Sequence, residues 1–209
     1  LVFAPHTVDN NRFTADENNL KQTAARRRAE LNIPEHDIVF LFAGKLETKK
    51  DPELLINAFC AIERTDVHLI IVGNGNMEAQ LKNRCRDNIR IHFIDFQNQS
   101  MMPETYQLCD VFVLPSKGPG ETWGLAVNEA MACRKPVIVS NKCGCSPDLV
   151  KDGINGFVFE SGNLLDLKKK MEQMLLPQEA LKNLGNQSFA IIQNWSISKV
   201  CTSIENCLS

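Results

Sequence analysis

The chain has 209 residues, of which 44% are hydrophobic and 23% charged, with a formal net charge of −2. That is the composition of one ordinary globular domain with a real core, and its charge balance argues against nucleic acid as a partner, because affinity there rests on clustered cations. The longest apolar runs, at residues 38–43 and 68–73, fall far short of the roughly 20 residues that span a bilayer, so no transmembrane segment is expected.

Residues 1–13, with Pro5, Asp9, Asn10 and Asn11, read as an extended linker, the remnant of an interdomain connection, and residues 14–209 as the domain itself. Helical spacing predicts a helix over 18–31, with Arg26-Arg27-Arg28 on a solvated face. A β-branched and aromatic run at 37–43 reads as the first strand. Asp51-Pro52-Glu53 then supplies an N-cap, a first-turn proline and a first-turn acid, ahead of Leu54, Leu55, Ala58, Phe59 and Ile62 at helical spacing. Strands follow at 67–73, 89–94 and 110–115, separated by helices at 77–85 and 103–109. After a Gly/Pro-rich loop, a helix begins near Gly124, and two further strands are expected at 136–140 and 156–159. Leu164, Leu167, Met171, Met174 and Leu175 form one stripe of a helix over 164–176 that stops before Pro177, with Lys168-Lys169-Lys170 on its solvated side. The tail reads as two more helices around Asn194-Trp195-Ser196.

The first, second, fourth and fifth strands are apolar throughout, which indicates burial on both faces and hence a parallel sheet covered by helices. Right-handed crossovers make 3-2-1-4-5-6 the commonest order for six such strands. The expected fold is therefore α/β and Rossmann-like. The eight cysteines include no Cys-x-x-Cys pair, and the close pair Cys143-Gly144-Cys145 has no histidine nearby. They read as reduced thiols of a cytoplasmic protein, with Cys60, Cys109 and Cys133 acting as small hydrophobes. The sequons at Asn98, Asn186 and Asn194 are then chance occurrences, and His68 and His92 are structural.

In an open α/β sheet a ligand binds beyond the carboxyl ends of the strands, where strand order reverses. For this order the place lies between strands one and four. The loop after strand one, Gly44-Lys45-Leu46-Glu47-Thr48-Lys49-Lys50-Asp51, is rich in lysine; the loop after strand four, residues 115–122, holds Glu121. Seven intervening residues separate Glu121 from Glu129, which lies on a helix made apolar nearly all round by Leu125, Ala126, Val127, Ala130, Met131 and Ala132. A carboxylate there needs a partner, such as a bound ribose or a lysine. The helix N-terminus offers unpaired N–H groups and a positive dipole end to phosphate, and the flanking acids suit sugar hydroxyls. Gly73-Asn74-Gly75 resembles the start of a dinucleotide fingerprint, but its third position holds Glu78 and it follows the second strand.

Taken together these segments resemble the C-terminal, donor-nucleotide domain of the GT-B-fold retaining glycosyltransferases of family 4, or group 1. Glu121 and Glu129 meet that family's Glu-x7-Glu pattern, and Gly44 through Asp51 resembles its Gly-Arg-Leu-x-x-x-Lys-Gly loop, with Lys45 at the Arg position and Lys50 at the Lys position. Val72-Gly73-Asn74-Gly75, Pro115-Ser116, Lys135-Pro136-Val137-Ile138 and Asp152-Gly153-Ile154-Asn155-Gly156 also agree. The departures are Lys45 for Arg, Asp51 for Gly, Cys145 for the second glycine of a Gly-Gly pair, and Asp148 for Glu.

The resemblance implies a nucleotide-sugar as ligand, no cofactor and no metal. Lys45 and Lys50 would hold the diphosphate, Glu129 the ribose and Glu121 the donor sugar. Backbone N–H groups around Thr122, Trp123, Gly124 and Leu125 would meet sugar or phosphate oxygens. Gly44, Gly73 and Asn74 would border the nucleotide, and Phe96 and Gln97 its base. The acceptor (a glycan, a lipid-linked sugar or a small molecule) would belong to an N-terminal domain absent from this chain. The fragment alone would be inactive, and the full-length protein could associate peripherally with the inner face of a membrane. A non-catalytic nucleotide-binding module and a nucleotide-sugar epimerase of the same architecture are the alternatives.

Overall fold

The computed structural model describes residues 4–118 and 121–208. Two helices, α1 (Asn10–Thr14) and α2 (Glu17–Glu30), precede β1 (Ile38–Ala43). Alternation follows: α3 (Pro52–Cys60), β2 (Val67–Val72), α4 (Glu78–Cys85), β3 (Ile91–Ile94), α5 (Met102–Gln107), β4 (Val111–Leu114), α6 (Leu125–Ala132) and β5 (Val137–Ser140). The chain finishes with α7 (Ser146–Leu149), β6 (Gly156–Phe159), α8 (Leu164–Gln173), α9 (Gln178–Ile192) and α10 (Ile197–Leu208). The strands form one parallel sheet in the expected order, β3-β2-β1-β4-β5-β6.

Every residue of β1, β2, β4 and β5 is buried, as their unbroken apolar character requires. The edge strands β3 and β6 are only partly buried. One group of helices packs α3 against α8, and another joins α2 to α5 and α6 to α1, α5 and α9, which matches a sheet covered on both faces.

The 3₁₀ turn Thr48–Lys50 leads into α3 through Asp51, whose φ of 50° lies in the left-handed region and whose Oδ1 accepts from the Leu54 N–H at 3.4 Å. Glycine adopts this backbone freely; aspartate tolerates it better than most residues and here adds a cap. The local geometry thus explains why glycine and aspartate can exchange at this position.

Four expectations need correction. Within the segment read as linker, residues 4–13 are not simply extended: Asp9 caps α1 by accepting from the Asn11 N–H, and Phe13 is fully buried, edge-on to Tyr106 at 6.1 Å between centroids. The apolar side chain at the end of a polar run finds a core contact that only the tertiary fold supplies. The third strand starts at Ile91 rather than Ile89, because Asn88 turns the chain, its Oδ1 accepting from the Arg90 N–H at 3.1 Å, and Ile89 is left exposed. Cys60 is exposed, unlike the buried Cys109 and Cys133. The Arg26–Arg28 run is not a bare solvated face: Arg27 pairs with Glu104 at 2.7 Å and Arg28 with Asp110 at 3.4 Å, tying α2 to α5 and to the start of β4.

Replacing Phe13 by Ala is expected to lower the unfolding free energy by about 3–5 kcal/mol, the cost of emptying a buried aromatic site. Denaturant titration of the variant checks this; a loss below about 1 kcal/mol would mean that α1 is an appendage to the core.

Candidate functional site

Strand order reverses between β1 and β4, and their two exit loops touch. The Lys117 N–H donates to the Lys49 carbonyl at 2.8 Å, and the Lys117 ammonium lies 3.2 Å from Asp51 Oδ1. Lys50 Nζ donates to Glu121 Oε2, and Ser116 Oγ donates to the same oxygen at 2.9 Å. Ser140 at the end of β5 in turn donates to the Ser116 carbonyl. The Glu121 carboxylate is thereby fixed from three strands. Pro119 and Gly120 of this loop lie outside the described residues.

These loops border a cavity of about 710 Å³, within the usual range for a small-molecule site. Lys45, Lys50 and Gly44 line it from the first loop, Gly73 and Asn74 from the second, and Phe96 and Gln97 from the third. Glu121, Thr122, Trp123, Gly124, Leu125 and Glu129 line it from β4 and α6. The structure therefore gathers every candidate site residue around one space. Asp148 is exposed on α7 and does not border it.

Glycine matters at two close approaches. A Cβ on Gly73, where φ is 133°, would sit 2.0 Å from the Gly44 carbonyl oxygen. The Gly-x-Gly after β2 therefore serves loop packing, with the Leu46 N–H donating to the Asn74 carbonyl at 2.8 Å. A Cβ on Gly144 would lie 1.9 Å from the Thr122 carbonyl oxygen. Gly144 and Cys145 N–H groups donate to the Glu121 and Trp123 carbonyls at 3.3 and 3.0 Å, so the loop after β5 underlies the one carrying Glu121. The Cys145 thiol is buried, and burial pushes its pKa up, so it acts as packing.

Gly124, at φ 100°, opens α6, and no side chain caps that end. Gly124, Leu125 and Ala126 at this end line the cavity, and the first N–H groups of a helix have no partner within it. Lys45 is exposed and its ammonium has no hydrogen bond or ion pair among the described residues, while Lys49 pairs with Glu47 at 3.4 Å. Cations, an uncapped helix end and two carboxylates thus converge.

Glu129 is only 7% exposed, and its partner is the Tyr106 hydroxyl, which donates to Oε2 at 2.8 Å. Burial raises the Glu129 pKa, opposed by the bond from Tyr106, the nearby charge of Arg12 and a bond from Gln99. Tyr106 is missed by sequence reasoning although it is the chain's lone tyrosine. A buried hydroxyl and a buried carboxylate each demand a mate; on the sequence only the apolar surroundings of Glu129 signal that need, because α5 is a short, mostly polar helix. His6 and Gln99 also line the cavity. His6 was hidden in the segment read as linker, and Gln99 carries no pattern.

An open α/β domain with a cationic and acidic crevice at its switch point defines a class of anionic-ligand sites. The sequence pattern of the family described as "Glycosyl transferases group 1" matches residues 24–190, and the chain belongs to that family. The D-inositol 3-phosphate glycosyltransferase of Geodermatophilus obscurus is 30% identical over 194 residues, covering 86% of this chain and 41% of that protein. Anabaena Alr3699/HepE, solved in complex with UDP, superposes with a TM-score of 0.82 at 23% identity over 97% of this chain and 55% of that one. The C-terminal domain of the group 1 protein LpcC from Francisella tularensis has a TM-score of 0.75 at 21% identity, covering 91% of this chain and 99% of that domain. The chain spans less than half the length of the curated relatives it matches. Its fold is that of one half of a GT-B structure.

Because burial raises the Glu129 pKa above its ordinary 4.5, the folded protein holds that proton more tightly than the unfolded chain. The resulting stabilisation is complete below 4.5 and is lost as pH rises through the folded value. In Glu129→Gln, where the amide oxygen can still accept from Tyr106, the unfolding free energy should decline less steeply than wild type between pH 4 and 7. Parallel profiles from denaturant titrations would contradict this.

Proposed function

We propose that this domain binds a nucleotide-sugar and, within a longer retaining, metal-independent glycosyltransferase, presents its sugar to an acceptor held elsewhere in the full-length protein. The observation that carries the reading is the Lys50–Glu121 pair, set at the switch point before the uncapped end of α6. A diphosphate needs cations and N–H donors, a sugar needs acceptors for its hydroxyls, and this crevice supplies both side by side.

On this reading Lys45 and Lys50 hold the diphosphate together with the first N–H groups of α6. Glu121 accepts from sugar hydroxyls, Glu129 from ribose hydroxyls, and the exposed ring of Phe96 lies against the base beside Gln97. Gln97 donates to the Asp95 carbonyl at 2.9 Å, which fixes the turn that carries Phe96. Positive charge beside the leaving diphosphate then stabilises the bond-breaking transition state, the largest lever available without a protein nucleophile. UDP is the first nucleotide to try, since it is bound in the HepE structure. Sugar transfer requires an acceptor surface, so the chain alone is expected to bind donor without turnover. The cysteine pattern supports a reducing, cytoplasmic setting.

In the free protein Lys50 is already engaged by Glu121, so ligand and carboxylate compete for it. Calorimetric titration with UDP, GDP and ADP and their glucose esters tests the reading. Lys50→Ala should weaken the preferred nucleotide roughly ten- to a hundredfold, the worth of one charge-assisted hydrogen bond. Glu121→Gln should tighten the bare nucleoside diphosphate while weakening its sugar ester by about two- to tenfold. Unchanged affinity in Lys50→Ala would remove the proposed site.

A further inference from the structure

The chain contains two tryptophans, Trp123 and Trp195, and the fold brings them together from distant segments. Trp195 lies between α9 and α10, and its ring sits 5.1 Å from that of Trp123, tilted by 33°. His6, ahead of α1, places its ring 5.0 Å from Trp123, tilted by 32°. The Trp123 indole N–H donates to Asn128 Oδ1 at 2.8 Å, and Asn128 Nδ2 donates to the His6 carbonyl at 3.1 Å. Asn128 is fully buried on α6, so neither of its bonds is exchangeable with water.

The two outer segments are stitched to each other as well. Val8 and Ser196 form a parallel bridge, Thr7 Oγ1 donates to the Trp195 carbonyl at 2.6 Å, and Asn10 Nδ2 donates to the Ile192 carbonyl at 3.0 Å. Trp123 is thus clamped by a pair of segments that are themselves fastened together. Two residues before it stands Glu121, whose loop is held from below by Gly144 and Cys145. The backbone from Glu121 to Trp123 is therefore suspended between a base after β5 and a clamp made by the two ends of the chain.

We infer that His6 and Trp195 are positioning residues for the Glu121 loop: by packing on Trp123 they set where the Glu121 carboxylate and the Trp123 backbone N–H meet the donor sugar. Aromatic pairs of this geometry contribute beyond the area they bury and fix relative orientation. This inference rests on the nucleotide-sugar reading of the cavity. Its signature is selective. Loosening the clamp blurs recognition of the sugar, which meets this loop, and spares the nucleotide, whose diphosphate meets Lys45, Lys50 and the first turn of α6 and whose nucleoside meets Glu129 and Phe96.

Two measurements on the 209-residue chain test it. Titration of UDP, GDP, ADP and their glucose esters gives the preference for ester over bare diphosphate. That preference should fall about two- to tenfold in Trp195→Ala, the equivalent of one ordinary hydrogen bond, with the affinity for the bare diphosphate retained and Trp195→Phe restoring the wild-type ratio. Amide hydrogen exchange without ligand should quicken at residues 121–124 in Trp195→Ala and His6→Ala and stay unchanged in β1, β2 and α6, whereas general destabilisation would quicken all of these regions. An unchanged ester preference, or unaltered exchange at 121–124, overturns the inference. Failure of the wild-type chain to bind any of the six compounds would strike the nucleotide reading instead, and hydrogen exchange alone would then decide the clamp.

Discussion

Two loops that leave the sheet on either side of its reversal point have to meet, and the fold makes them meet through backbone. The Lys117 N–H bonds to the Lys49 carbonyl, and only then do Lys50 and Glu121 find each other. These side chains are 19% and 12% exposed, so each loses much of its hydration and depends on the other. A pair of this kind adds little net stability, because desolvation offsets attraction, but it removes alternatives: either group left alone would be strongly disfavoured. The pairing thereby fixes where a cation and a carboxylate stand before any ligand arrives. Gly73 and Gly144 make the same contribution, since each allows one loop to lie directly on another.

The second constraint is the treatment of polarity inside an apolar helix. α6 carries Asn128 and Glu129 among buried neighbours, and each is answered individually. Asn128 joins Trp123 to the His6 carbonyl, while Glu129 accepts from Tyr106. Glu129, which borders the cavity while Asn128 does not, is therefore a satisfied carboxylate on the cavity wall, and α6 serves as both core and lining. The raised Glu129 pKa reports the tension between those roles.

Most of the architecture was legible because its signals are local and repeated. Strands such as Ile38–Ala43 and Val67–Val72 are apolar without interruption, their helices carry caps and stripes, and the handedness of crossovers then dictates the order. The cavity was legible because the reversal point follows from that order and the residue types on its two loops are distinctive. What escaped was long-range. Phe13 and His6 sit in a polar, turn-rich stretch, and nothing nearby indicates that one enters the core and the other stacks on Trp123. Tyr106 lies on a six-residue helix too short for a face to be read, and its value appears only opposite Glu129. Segments 6–10 and 192–196 thus meet each other and Trp123, a relation that spans nearly the whole sequence.

A crystal structure of the chain with a nucleoside diphosphate ester of glucose would bear most directly on the central claim. The account predicts diphosphate oxygens within hydrogen-bond distance of Lys50 Nζ and of the first N–H groups of α6, with Glu121 turned to the sugar. A second cavity of about 360 Å³ lies near the opposite end of the strands, between His36, Arg64, Asp66 and Gln178. Ligand density there, with the Lys50–Glu121 crevice vacant, would contradict the account.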